Sequence, residues 1–135
     1  MSRVLKRITM TPEYRQIMVR DFGTSDAPEW ETGDEPLVWL PGSFMIGTVD
    51  DTDGDVTVEV RLGAADTPGA RTIFDGIFSC TSGIVSIMTP TEYDNETLRL
   101  PRAGDWKMRI AVKGAERPDY VAIIFDDKEW STALK

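Results

Sequence analysis

The chain has 135 residues, 41% hydrophobic and 28% charged, enough for one globular domain and too few for two of ordinary size. It contains one cysteine, Cys80, and no histidine, so an intrachain disulfide, histidine-bound zinc, proximal-histidine haem and histidine-assisted nucleophiles are all excluded. Fifteen Lys and Arg against 23 Asp and Glu leave a net charge of −8, which disfavours DNA, RNA or an anionic bilayer as partner and favours a basic protein or a cation.

Near the N-terminus, Arg3, Lys6 and Arg7 lead into Ile8-Thr9-Met10-Thr11-Pro12 without a long apolar run, and no stretch reaches the ~20 apolar residues of a membrane helix. The expectation is a cytoplasmic protein that needs no cofactor.

In chain order, short segments rich in β-branched and aromatic residues alternate with turn clusters. Residues 4–10 and 14–21 read as the first strands, the second with Arg15, Ile17 and Val19 on one face and Tyr14, Gln16, Met18 and Arg20 on the other. Residues 22–36 break the pattern with Gly23, Pro28, Gly33 and Pro36, forming a polar loop around Trp30. Strands at 37–40 and 43–49 follow, separated by Pro41-Gly42. The second is expected to form a hairpin with 55–62 across Asp50-Asp51-Thr52-Asp53-Gly54.

Residues 55–62 alternate cleanly, with Val56, Val58, Val60 and Leu62 inward and Asp55, Thr57, Glu59 and Arg61 toward water. Residues 63–69 read as a loop, and 71–80 and 83–88 as a second hairpin across Thr81-Ser82. Next come 97–100, with Leu98 and Leu100 inward, then an alternation of Trp106, Met108, Ile110 and Val112 with Lys107, Arg109 and Lys113. A last strand spans 120–125, before a tail with Trp130 and no amphipathic helix. The pattern predicts a single all-β domain over 1–135, a two-sheet antiparallel sandwich of eight or nine strands with jelly-roll-like topology.

Two polar features stand out. From Asp21 to Glu35 there are six acids and no Lys or Arg, whereas residues 1–20 carry a net +4. Asp26, Glu29, Trp30, Glu31, Asp34 and Glu35 are therefore the candidate partner-binding residues: the acids steer a basic surface and the indole supplies contact area. The competing reading folds Trp30 back over one end of the sandwich. The second feature is Asp50, Asp51, Asp53 and Asp55, a weak candidate for Ca²⁺. Its register is not that of an EF-hand, because Gly54 at loop position six puts Val49 at position one and Val60 at position twelve. A solvated turn is the simpler account.

Cys80, beside Phe78 in an apolar strand, reads as a buried hydrophobe. Trp39, Trp106, Trp130 and Tyr120 read as core before they read as a sugar-stacking platform.

Three blocks carry a family resemblance. They are Tyr14-Arg15-Gln16-Ile17-Met18-Val19, the loop Pro28-Glu29-Trp30-Glu31, and Trp39-Leu40-Pro41-Gly42-Ser43-Phe44-Met45-Ile46-Gly47-Thr48. With Phe78-Ser79-Cys80, Gly83-Ile84-Val85-Ser86-Ile87 and Leu98-Arg99-Leu100-Pro101-Arg102-Ala103-Gly104-Asp105-Trp106, the chain resembles the competence protein J family over residues 8–125. That resemblance implies a non-catalytic protein that binds a basic partner, a DNA-entry nuclease. The second reading is a small-ligand or carbohydrate-binding sandwich assisted by calcium, and the third an enzyme using carboxylates alone. An exposed sheet edge would leave homo-oligomer formation open.

Overall fold

A computed structural model describes residues 3–63 and 67–135. Among the described residues there are ten strands: β1 (Arg3–Met10), β2 (Gln16–Asp21), β3 (Leu37–Leu40), β4 (Ser43–Gly47), β5 (Val56–Leu62), β6 (Arg71–Cys80), β7 (Ile84–Met88), β8 (Asn95–Arg99), β9 (Gly104–Lys113) and β10 (Tyr120–Phe125). They form two five-stranded sheets, ordered β1-β5-β10-β9-β6 and β3-β4-β2-β7-β8. The fold is an all-β sandwich, as the alternation predicts. The strands number ten where eight or nine are expected, and they pair antiparallel except at one place, where β10 runs parallel to β5. Of the loop expected at 63–69, residues 64–66 lie outside the described residues.

The inward faces follow the two-residue period of a strand. Val56, Val58, Val60 and Leu62 of β5 and Trp106, Met108, Ile110 and Val112 of β9 meet Ile17, Val19, Phe44, Ile46, Val85 and Ile87 of the other sheet in one core. On β2 the inward face is thus that of Ile17 and Val19, and the strand begins at Gln16, two residues later than the alternation suggests. One open side of the sandwich is crossed by an ion pair from Lys6 of β1 to Glu96 of β8, 3.4 Å. The other is joined by Ser79 N–H of β6 donating to Pro41 O, 2.8 Å.

Both expected hairpins are instead crossings between sheets. β4 pairs with β2 and β3, while β5 pairs with β1 and β10. β6 pairs with β9, whereas β7 pairs with β2 and β8. An Asp-Gly or Thr-Ser turn encodes a reversal of direction, but both flanking strands present an apolar face, and only long-range pairing decides whether they share a sheet. The 48–55 connection is lengthened by a 3₁₀ turn over Asp51–Asp53, which gives the chain room to cross.

Two further expectations are corrected. The tail forms a short helix, α1 (Asp127–Ala133), capped by Asp126, whose carboxylate accepts from Glu129 N–H at 2.9 Å. Its seven residues are too few to show a periodic stripe, but Trp130 docks on Trp106 and Phe125 and holds it in place. Glu59 is not toward water but 5% exposed. The outer face of its sheet is covered there by Tyr120, which donates to the carboxylate, and by Arg61 and Arg7, each 2.9 Å away. Burial pushes the Glu59 carboxyl up, and these three partners outweigh it and hold it below its ordinary value. No described helix is long and apolar enough to cross a membrane.

Candidate protein-binding site

Residues 22–36 contain no helix or strand and are held by their own polar side chains. Asp26 Oδ2 accepts from Gly42 N–H, 2.9 Å, fastening the loop to the β3–β4 turn. The Glu35 carboxylate accepts from the N–H groups of Glu31, 2.7 Å, and Thr32, 3.1 Å, and from the Thr32 hydroxyl. Trp30 is half-buried over the start of β2, its indole N–H donating to Gln16 Oε1 at 3.3 Å. Asp34, with its side chain 88% exposed, lies 3.4 Å from Arg117. Of the six candidates, then, Asp26 and Glu35 shape the loop. Glu29 and Glu31 are exposed, and their carboxylates have no partner among the described residues.

Glu35 gives this part of the loop a pH signature. The Thr32 hydroxyl first, then the Glu31 N–H, hold its carboxyl at about 2 against an ordinary 4.5. A carboxyl depressed on folding stabilises the fold fully above its unfolded pKa, and the contribution is lost as pH falls through the folded value. Glu35→Gln is therefore expected to flatten the dependence of stability on pH between about 4.5 and 2. Urea midpoints across that window check it, and an unchanged slope would refute it.

The acids of the 50–55 turn are also engaged locally. Asp50 caps the 3₁₀ turn and meets Arg15 Nε at 3.2 Å. Its hydrogen bond with Asp51, and then Arg15, lower it to about 2, while Asp51 is raised by the same bond to Asp50, by burial and by the Asp50 charge. Asp55 accepts from the Thr11 hydroxyl, 3.0 Å, and Asp53 stays exposed. Among the described residues no group of three or more His, Cys, Asp or Glu is arranged to hold a metal ion.

The two acidic segments, separate in sequence, meet at one end of the sandwich. Thr48 N–H donates to Arg15 O, 2.8 Å, Val49 N–H to Pro118 O, 3.0 Å, and Gly47 N–H to Pro36 O, 3.0 Å. Arg15 then bridges to Asp50 and Arg117 to Asp34, so two arginines sit among Asp34, Asp50, Asp53 and Glu116. Tyr14, Trp30, Asp34 and Arg117 border a common hollow of about 210 Å³.

Sequence reasoning missed two residues of this end. Tyr14 falls in a tight turn before β2 and Tyr93 in the β7–β8 turn, exposed by 78% and 84%. The polar run from Thr89 to Asn95 around a lone tyrosine was a usable turn signal for the second. Turn 13–16 contains neither Gly nor Asn and offered none.

The remaining candidates are structural. Cys80 is fully buried, and burial together with the adjacent Asp21 carboxylate pushes its thiol up to about 12, so it stays protonated and unreactive at neutral pH. Asp21 itself ties β2 to the β6–β7 crossing by accepting from Thr81 Oγ1, 2.7 Å, and Ser82 N–H, 3.0 Å. Trp106 and Trp130, 0% and 8% exposed, are core and cannot stack on a sugar, whereas Trp39 is 48% exposed on β3 and Tyr120 packs outside the main core, over Glu59.

No protein-family model matches the chain, and no curated protein matches it. Its architecture is shared with a solved structure, ComJ from Bacillus subtilis, an inhibitor of the DNA-degrading activity of NucA. The two superpose with a TM-score of 0.68 at 17% identity, over 93% of this chain and 98% of ComJ. At that identity the likeness is one of fold alone.

Proposed function

We propose that the chain is a non-catalytic binding module that inhibits a DNA-degrading nuclease by setting the acidic end of the sandwich against the nuclease's basic surface. The observation that carries this reading is the superposition on ComJ over nearly the whole of both chains. Charge supports it. A nuclease must present positive charge to phosphates, and a chain of net −8 with unpaired Glu29 and Glu31 can compete for that surface.

The test is capture from an extract of the source organism on the immobilised chain, with the retained fraction assayed for plasmid degradation before and after adding free chain. The expected result is a retained activity that the chain suppresses, less effectively as salt rises. Glu29→Lys combined with Glu31→Lys breaks no internal contact, so it is expected to leave the melting temperature unchanged. It should weaken inhibition by about tenfold or more, since like charges across an interface repel. A retained fraction that does not degrade DNA, or degradation that the chain leaves untouched, would overturn the reading.

A further inference from the structure

The turn before β2 is built against its own side chains. Glu13 and Gln16 exchange both backbone hydrogen bonds, 3.3 and 3.1 Å, leaving two residues at the tip. Both are left-handed, Tyr14 at φ 55° and Arg15 at φ 59°. Such a primed turn suits the strand twist but is normally filled by Asn-Gly or Gly, because a Cβ clashes with the following carbonyl in that conformation. Arg15 recovers part of the cost through Asp50. Tyr14 is 78% exposed and recovers nothing from the core.

The β7–β8 turn is longer, closed by Thr89 N–H to Asp94 O at 2.9 Å, and it too holds a left-handed residue, Glu92 at φ 63°, with Tyr93 beside it 84% exposed. These are the two most exposed large hydrophobic side chains among the described residues. Their turns are fastened together. The Glu13 carboxylate accepts from Thr91 N–H at 2.8 Å and from its hydroxyl, and Asp94 accepts from Thr11 N–H at 3.1 Å. The structure thus holds two tyrosines outward on one braced support, with Asp34, Asp53 and Glu116 set about Arg15 and Arg117 on the Tyr14 side and Glu92 next to Tyr93 in its own turn.

We infer that Tyr14 and Tyr93 are the anchors of the interface, seating in recesses of a basic protein face while the surrounding acids pair with its lysines and arginines. The occupant is the nuclease of the reading above, on which the inference rests. Binding energy concentrates in a few aromatic side chains ringed by polar contacts, and a tyrosine on a rigid turn loses little entropy when it docks. Strained turns kept without return to the fold belong where they present a side chain to something else.

Two variants separate this role from a structural one. Tyr14→Asn removes the ring but suits a left-handed position, so the melting temperature should stay or rise. Affinity for the DNA-degrading fraction retained on the wild-type chain should fall about 30-fold or more, the loss typical of an interface hot spot. Tyr93→Ala should weaken binding in the same direction. Full affinity in the double variant, with Glu29→Lys and Glu31→Lys still weakening it, overturns the anchors and leaves the nuclease reading standing.

Photo-cross-linking gives the second measurement, with benzoylphenylalanine replacing Tyr14 or Tyr93, or Thr81 at the opposite end as control. Adducts to a DNA-degrading protein from the two tyrosine positions alone are expected. Such an adduct from position 81 only, or no adduct from any position, overturns the surface. An adduct from position 14 to a protein without that activity instead overturns the nuclease as occupant.

Discussion

Trp106→Ala is expected to destabilise the fold by about 3–5 kcal/mol, lowering the melting temperature by roughly 10–20 °C. Trp106 is fully buried on β9 and packs edge-on against Phe125, centroids 5.8 Å apart, and against Trp130 at 5.6 Å. Its indole N–H donates to Arg102 O at 3.2 Å, and the Arg102 guanidinium lies 4.3 Å over the ring. Truncation opens a cavity and removes the contact that docks α1, so the last turn of chain should loosen as well. Intrinsic fluorescence separates the two effects, because Trp130 should shift to the red in the native state of the variant. Trp39, 48% exposed on the edge strand β3, is the comparator: Trp39→Ala should cost about 1 kcal/mol, as a half-exposed side chain forfeits less buried area. Equal losses at the two positions would contradict the placement of Trp106 at the centre of the core.

The strands were legible because each is short and its period is local. Val56 to Leu62 alternates throughout and Trp106 to Val112 does so apart from Ala111, and the structure buries the expected members of each. Partnership between strands was not legible, and the physical reason is specific. A turn such as 50–54 constrains a handful of dihedral angles, while the choice between β4 and β1 as neighbour of β5 depends on a register of seven residue pairs formed with β1. Glu59 shows the same limit at one residue. The alternation places it correctly on the outer face, but its burial is decided by Tyr120, which sits on a strand 61 positions along the chain.

For the site, composition located the acidic loop and the acidic turn, and charge alone could not say which acids are spent internally. Glu35 and Glu31 look alike in sequence. One closes a turn with three donors, and the other is solvated. That the two segments share an end follows from Arg15 and Arg117, which reach Asp50 and Asp34 across 35 and 83 positions. The left-handed turn at Tyr14 and Arg15 was hidden for the opposite reason: its residues are ones that ordinarily avoid that conformation.

Gly114→Ala is expected to cost about 2–5 kcal/mol and to abolish inhibition, although residue 114 presents no side chain to a partner. Gly114 lies at φ 142°, where L-residues rarely sit, and an added Cβ would fall 2.7 Å from Arg117 O and Pro118 Cα and 3.0 Å from Asp119 N. All three are backbone atoms, so no rotamer change relieves the overlap. The strained backbone contributes about 1–3 kcal/mol and the forced displacement a similar amount. The displacement then has a fixed direction of travel. Pro118 O is the acceptor for Val49 N–H, which leads the chain from β4 into the acidic turn, and Arg117 is the partner of Asp34. Moving residues 114–118 therefore shifts the acidic loop and the acidic turn relative to each other, and with them the hollow between Tyr14 and Trp30. Arg117→Ala supplies the contrast, because it removes a half-buried side chain and its ion pair with the exposed Asp34, a pair worth less than about 1 kcal/mol, and leaves the backbone in place. Chemical denaturation of both variants, with inhibition measured at a temperature where each remains folded, distinguishes displacement of the support from loss of a charge. A folded Gly114→Ala variant that inhibits as well as the wild type would mean that the geometry of this end does not govern binding.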